Sequence, residues 1–264
     1  MRRVSIALLF VLAVAGCATS PTGRDQIRLY SSAELARMGR VSFEKIKQET
    51  YVVTDPAVTG YVRCVAGAIT STVAPGESWE VEVFARDSAN AFALPGGRIG
   101  VHAGLLEVAA NQHQLATVMA HEVAHVEAEH GNARMSAATL TQAGVTALQI
   151  MIGGETREQR QVMALLGVGA TVGILLPYSR SQESEADELG LRYMAQAGFD
   201  PRASVELWRN MSRASGGQPP EFLSTHPSHG TRIEDLQRWM PKAMKLYRQA
   251  QAEGRNPDCK PSQP

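Results

Sequence analysis

The stretch His121-Glu122-Val123-Ala124-His125 places two imidazoles and a carboxylate within one turn and a half of chain. No Gly or Pro interrupts Gln112 to His130, so a helix is predicted there. On a helix, residues four apart share a face, and two histidines so placed can grip one metal ion. Zinc suits them, because it accepts nitrogen ligands near about 2 Å and tolerates an open fourth position. Glu122 stands beside the first ligand, where it could take a proton from a water. The competing reading is a helix with two solvated histidines and a glutamate, so support is needed elsewhere in the chain.

A catalytic zinc usually takes three protein ligands. One peptidase class supplies a third histidine shortly after the motif, but that position holds Gly131. His130 lies half a turn away from His121 on a continuous helix, which predicts a surface residue. The remaining source is the acidic run Ser181 to Glu188. Glu183 and Asp187 share a helical face there, and Glu185 points away from both. If Glu183 binds the metal, Asp187 can accept a hydrogen bond from a ligand histidine and orient it. Alone, such a run is a solvated acidic face; the upstream motif reverses that preference.

Several elements must position these groups. Ser31 or Ser32 can cap a helix to about Gln48, and Asp55-Pro56 opens another. Trp79 to Phe84, Asn90 to Leu94 and Arg98 to His102 read as strands, with Pro95-Gly96-Gly97 dividing the last two. The economical arrangement is a three-stranded antiparallel sheet before the metal helix. Ser136 to Tyr178 is apolar and glycine-containing, either a buried helix pair or, less favoured, a membrane contact; it could also form a wall or plug over a cleft. Helices follow from about Ser181 to Ala197, Pro201 to Ala214 and Thr231 to Ala252.

Composition sets limits. The chain has 264 residues, 44% hydrophobic and 20% charged, ample for a core. Lys+Arg and Asp+Glu both number 26, so no overall charge draws it to nucleic acid. Arg2 and Arg3 before the apolar run Val4 to Ala15 read as a secretory leader, residues 1–16. Val14-Ala15-Gly16-Cys17 resembles a lipobox, which implies cleavage before Cys17 and lipid on its thiol; the competing reading is an ordinary leader. Residues 17–30 then form a lipidated tether, 31–252 the folded domain and 253–264 a polar tail. The location expected is a bacterial cell envelope, lipid-anchored and periplasm-facing, with the outer membrane favoured over the inner. In an oxidising compartment Cys64 and Cys259 could pair, or remain two unrelated thiols.

The ordered set of motifs resembles the gluzincin zinc metallopeptidase family of the CAAX prenyl protease, HtpX, BepA and LoiP, nearest its bacterial periplasmic lipoprotein members. The likeness rests on H-E-x-x-H, Glu183 and Asp187, Asn90-Ala91-Phe92-Ala93-Leu94-Pro95-Gly96-Gly97, Val101 with Gly104-Leu105-Leu106, Ser179-Arg180, and His226-Pro227 with Arg232. It implies an α+β fold: a mainly helical zincin-type domain with a small antiparallel sheet whose edge strand flanks the active-site helix. It implies one Zn2+ held by His121, His125 and Glu183, with Glu122 as acid and base. It implies that His226 donates to the oxyanion, or acts as a latch at the open zinc position, or both. Arg232 could pair with Glu183 or Asp187. The edge strand Asn90 to Leu94 would bind extended substrate. The implied activity is endoproteolysis of unfolded or misassembled envelope proteins; the alternative is a chaperone-like or binding module with latent proteolysis.

Overall fold

The computed structural model describes residues 17–152, 178–214, 221–227 and 230–260, with the side chains of 143–152 left aside. The leader, residues 1–16, and most of the apolar segment beyond Ile152 lie outside the described residues.

Local chemistry starts several helices where the sequence suggests. Helix α1 (Ser32–Glu49) begins at a capping box, in which Ser31 and Glu34 satisfy each other's backbone amides. In α2 (Pro56–Val73) the Asp55 side chain accepts from the Ala57 amide, and Pro56 fills a position needing no donor. Asn111 accepts from the amides of His113 and Gln114 to open α4 (Gln112–Glu127), which follows the short α3 (Leu105–Val108). A second capping box, Ser179 with Gln182, opens α6 (Arg180–Gln196). Helices α5 (His130–Ile152), α7 (Ala203–Ala214), α8 (Glu221–Thr225) and α9 (Arg232–Ala252) are the others among the described residues.

Two small sheets accompany the helices. Strands β1 (Cys17–Thr19) and β2 (Asp25–Ile27) form an antiparallel hairpin. Strands β3 (Glu80–Phe84), β4 (Ala91–Leu94) and β5 (Arg98–His102) form a sheet of order β3-β5-β4. Here the all-antiparallel expectation is corrected: β4 is antiparallel to β5, but β3 is parallel to it. Alternation of side chains specifies the face of a strand and not the edge it takes. Val81 pairs with Ile99 and Val83 with Val101, which joins their side chains to the core beside α2. That pairing leaves β4 at an edge, next to α4.

Helix α4 is the hub. It packs on α6, α2, α7 and β4, and twelve of its residues, Gln114 to His125, are buried. The helix is enclosed on nearly every side, although it carries His121, Glu122 and His125 among its buried residues. Gly190 on α6 lets the two helices meet: a Cβ there would stand 2.9 Å from the His121 amide nitrogen. No described helix is long and apolar enough to cross a membrane.

Two segments read as loose are packed. Residues 17–30 hold the hairpin just named and the link after it: Gln26 donates to the Ala128 carbonyl at 3.0 Å, and the Leu29 amide donates to Ser136 at 2.8 Å. At the other end, Cys259 is bonded to Cys64, and Gln112 is bonded both to the Cys259 amide and to the Pro257 carbonyl.

Gly190→Ala should lower the unfolding free energy by about 1–3 kcal/mol, the usual cost of overpacking. Gly131→Ala is the control, because its Cβ would meet only Pro95 Cγ at 3.9 Å. Urea unfolding of both in the presence of chelator reads the difference; equal stability would mean that α4 and α6 are not in close contact.

Candidate active site

Four side chains from three parts of the chain converge beside β4. His121 and His125 come from α4, Glu183 from α6, and His226 from the turn after α8. Each offers one ligand atom, and the four atoms lie within 4.8 Å of one another. The Nε2 atoms of His121 and His125 are 3.0 Å apart. Oε1 of Glu183 lies 3.0 Å from His226 Nδ1 and 3.3 Å from His125 Nε2, and Oε2 lies 3.4 Å from His121 Nε2. All four residues are at most 3% exposed. Lone pairs of three imidazoles and a carboxylate aimed at one buried point form a nitrogen and oxygen set that fits one zinc ion.

Behind this set stand fixed charges. Asp187 Oδ1 lies 3.0 Å from His121 Nδ1. Arg232 donates through Nε to Asp187 at 2.6 Å and through Nη2 to Glu183 at 2.7 Å, and its guanidinium lies 4.0 Å from the Trp208 ring centre. Burial opposes ionisation of Glu183, but the imidazoles of His121, His125 and His226 outweigh it and hold its carboxyl far below the usual range. Burial also disfavours a charged His121, yet Asp187 and Glu183 push it up to about 9. For His125 burial prevails and keeps the ring neutral well below its ordinary value, as a metal ligand must be.

Glu122 faces the other side of the set. Its Oε2 accepts from the Ala93 amide of β4 at 3.2 Å, and its Oε1 lies 3.4 Å from His226 Nε2. Burial raises its pKa, which makes the carboxylate a stronger base than one in water. His226 is wedged by rings. Phe222 stacks on it at 4.3 Å and 11°, and Tyr178, which stacks on His125 at 3.8 Å and 21°, lies 5.2 Å away.

The remaining sequence-predicted residues fall as follows. Asn90 immediately precedes β4 and donates to Glu221 on α8 at 3.1 Å. Ala91, Phe92, Ala93 and Leu94 are the edge strand, and the amides of Ala91 and Ala93 point away from β5, toward the Asn90 side chain and Glu122. Cys17 is exposed on β1. His130 is not at the surface. It is fully buried, 2.8 Å from His125 through their Nδ1 atoms, and bonded to Glu185. The helical phase fails because α4 ends at Glu127 and Glu129 adopts the left-handed conformation, φ 51°, which turns the chain before α5. Tyr178, Phe222 and Arg24 also belong to the site, and no local sequence signal marks them, because their partners lie on other elements.

A cleft of about 430 Å³ opens beside the site. Leu35, Met38, Leu94, Pro95 and Met135 give it apolar walls, and His125 and Tyr178 line its end.

Comparison with known proteins agrees with this geometry. The model of the family described as Peptidase family M48 matches residues 56–240. The chain is 38% identical over 167 residues to mitochondrial metalloendopeptidase OMA1 of Schizosaccharomyces pombe, covering 62% of this chain and 48% of that one. It is 35% identical over 240 residues to the mitochondrial metalloendopeptidase OMA1 of Bos taurus, covering 85% and 44%. It is 30% identical over 208 residues to the beta-barrel assembly-enhancing protease of Escherichia coli, covering 75% and 42%. The chain thus spans about half the length of the curated relatives it matches. These relatives also correct the expected location. Matches to OMA1 proteins named as mitochondrial, from yeasts, a plant and vertebrates, overturn placement at a bacterial outer membrane. With the buried histidine and glutamate set, the base beside it and a family match over more than half its length, the chain belongs to peptidase family M48, and its site is that of a metallopeptidase.

Proposed function

We propose that the chain is a zinc endopeptidase that cuts unfolded or misassembled polypeptides, bound in extended form along β4. The observation that carries this reading is the position of Glu122, which touches both the metal-ligand set and the substrate edge. His121, His125 and Glu183 would hold the ion. When bound, zinc supplies a Lewis acid that polarises the scissile carbonyl and lowers the pKa of water.

The chain's own groups do the rest. Glu122 takes a proton from the attacking water and returns it to the leaving amine. Burial favours this role by raising its basicity. An extended substrate adds to the open edge of β4, where the amides of Ala91 and Ala93 donate to its carbonyls in place of the Asn90 side chain and Glu122. Backbone pairing of this kind selects weakly for sequence, which suits loose chains as substrates. The apolar cleft next to the site adds a preference for a bulky apolar side chain there.

His226 has two positions in this reading. In the structure its Nδ1 stands among the ligands, held by Phe222 and Glu183. Swung aside, it is the donor available to a developing oxyanion. The occupied position also supports the second reading, a binding module with latent proteolysis.

Glu122→Gln should reduce kcat/KM on a casein-type substrate by about 10²–10⁴-fold, the worth of a positioned general base, while zinc content stays at the wild-type value. Wild-type turnover in that variant would sink the proteolytic mechanism. His226→Ala should retain zinc, since three ligands remain, and change kcat more than KM; an unchanged kcat leaves His226 only a loop role. Removing zinc with a chelator should lower Tm, because the ion binds the folded state alone. Calorimetry with and without added zinc reads this, and no shift would argue against a metal at the four-residue set.

A further inference from the structure

We propose that the hairpin β1–β2 is a working part of the metal site: Arg24, acting through Glu185 and His130, positions the ligand His125. The inference rests on the zinc reading above.

The chain of contacts is continuous. Nδ1 of His125 lies 2.8 Å from Nδ1 of His130. Nε2 of His130 lies 3.1 Å from Glu185 Oε2. Arg24 Nε donates to the same oxygen at 2.9 Å. Thr22 donates to Oε1 at 2.7 Å through its hydroxyl and at 3.3 Å through its amide. Glu185 is 5% exposed and His130 is fully buried, so solvent does not supply these bonds.

The order of donors fixes the protons. A carboxylate only accepts, so His130 must present N–H at Nε2. Its Nδ1 is then a lone pair and accepts from His125 Nδ1–H. That leaves the lone pair of His125 on Nε2, the atom in the ligand set. Reversing one link leaves a buried pair of lone pairs or of N–H groups, which is unfavourable. The distant carboxylate therefore selects the tautomer of His125, and the hydrogen bond holds its ring angle.

The two histidine ligands are served by parallel devices. His121 faces Asp187 directly, and Asp187 is held by Arg232. His125 faces Glu185 through one intervening imidazole, and Glu185 is held by Arg24. The difference is where each arginine comes from. Arg232 belongs to α9, whereas Arg24 belongs to a hairpin outside the residues that the family model matches. Gln26 ties the same hairpin to the Ala128 carbonyl, and Arg28, the next residue after β2, pairs with Glu129, both within the turn that swings His130 beneath His125. The hairpin thus fixes both the charge and the backbone turn that the relay needs.

The test is zinc affinity, measured by competition with a chromophoric chelator, for the full chain and for Arg24→Ala, Arg24→Lys, Glu185→Ala and the double variant Arg24→Ala with Glu185→Ala. Arg24→Ala and Glu185→Ala should each weaken zinc binding by about 10–100-fold, the usual effect of losing such support. The double variant should bind no more weakly than Glu185→Ala alone, and Arg24→Lys should recover most of the loss. In proton–nitrogen spectra of the zinc-loaded protein, the His125 Nδ1–H signal should exchange faster with solvent in Arg24→Ala. Wild-type affinity in folded variants, or losses that multiply in the double variant, would overturn the relay. If Glu185→Ala does not fold, Arg24→Ala with the spectrum decides alone. A wild-type chain that binds no zinc would instead overturn the zinc reading beneath it.

Discussion

The structure depends on giving two buried carboxylates their partners inside the protein. Glu183 and Asp187 are both buried on α6, where an isolated charge would be costly. Arg232 meets both of them, and its guanidinium is itself covered by the Trp208 ring. The imidazoles of His121, His125 and His226 satisfy the inner face of Glu183. A buried pair is not in itself stabilising, since desolvation offsets the attraction. Its value here is positional: α6 can approach α4 only in the register that brings these charges together, and Gly190 permits that approach.

Much of this site could be read from residue types. Two histidines four apart need only a helix to share a face, and Asn111 and the run to Glu127 supply it. Glu183 and Asp187 follow the same rule on α6. Helix periodicity carries such information because it is local. The parallel pairing of β3 with β5 was not legible, since a strand's pattern says which side faces the core and leaves its neighbour open.

His130 failed for a different reason. Its predicted place assumed one continuous helix, and a single left-handed residue, Glu129, breaks that assumption. Non-glycine residues adopt this conformation rarely, so composition gives no warning. Residues 17–30 misled in a related way: their Thr, Ser, Pro and Gly content reads as a tether, yet Arg24 and Gln26 find buried partners far away in sequence. Contacts across more than a hundred residues are decided by tertiary structure alone. The stack of Tyr178 on His125 is likewise a tertiary contact with no local signal.

The pairing of Arg232 with Glu183 and Asp187 has a consequence in time. Ribosomal synthesis delivers the H-E-x-x-H helix first, α6 later and Arg232 later still. Until Arg232 arrives, Glu183 and Asp187 on α6 have only imidazoles to meet them, and the guanidinium that joins the two carboxylates is missing. A nascent chain therefore carries the hydrolytic residues well before it carries a closed site. The site can close only once its last element, the first turn of α9, has been made.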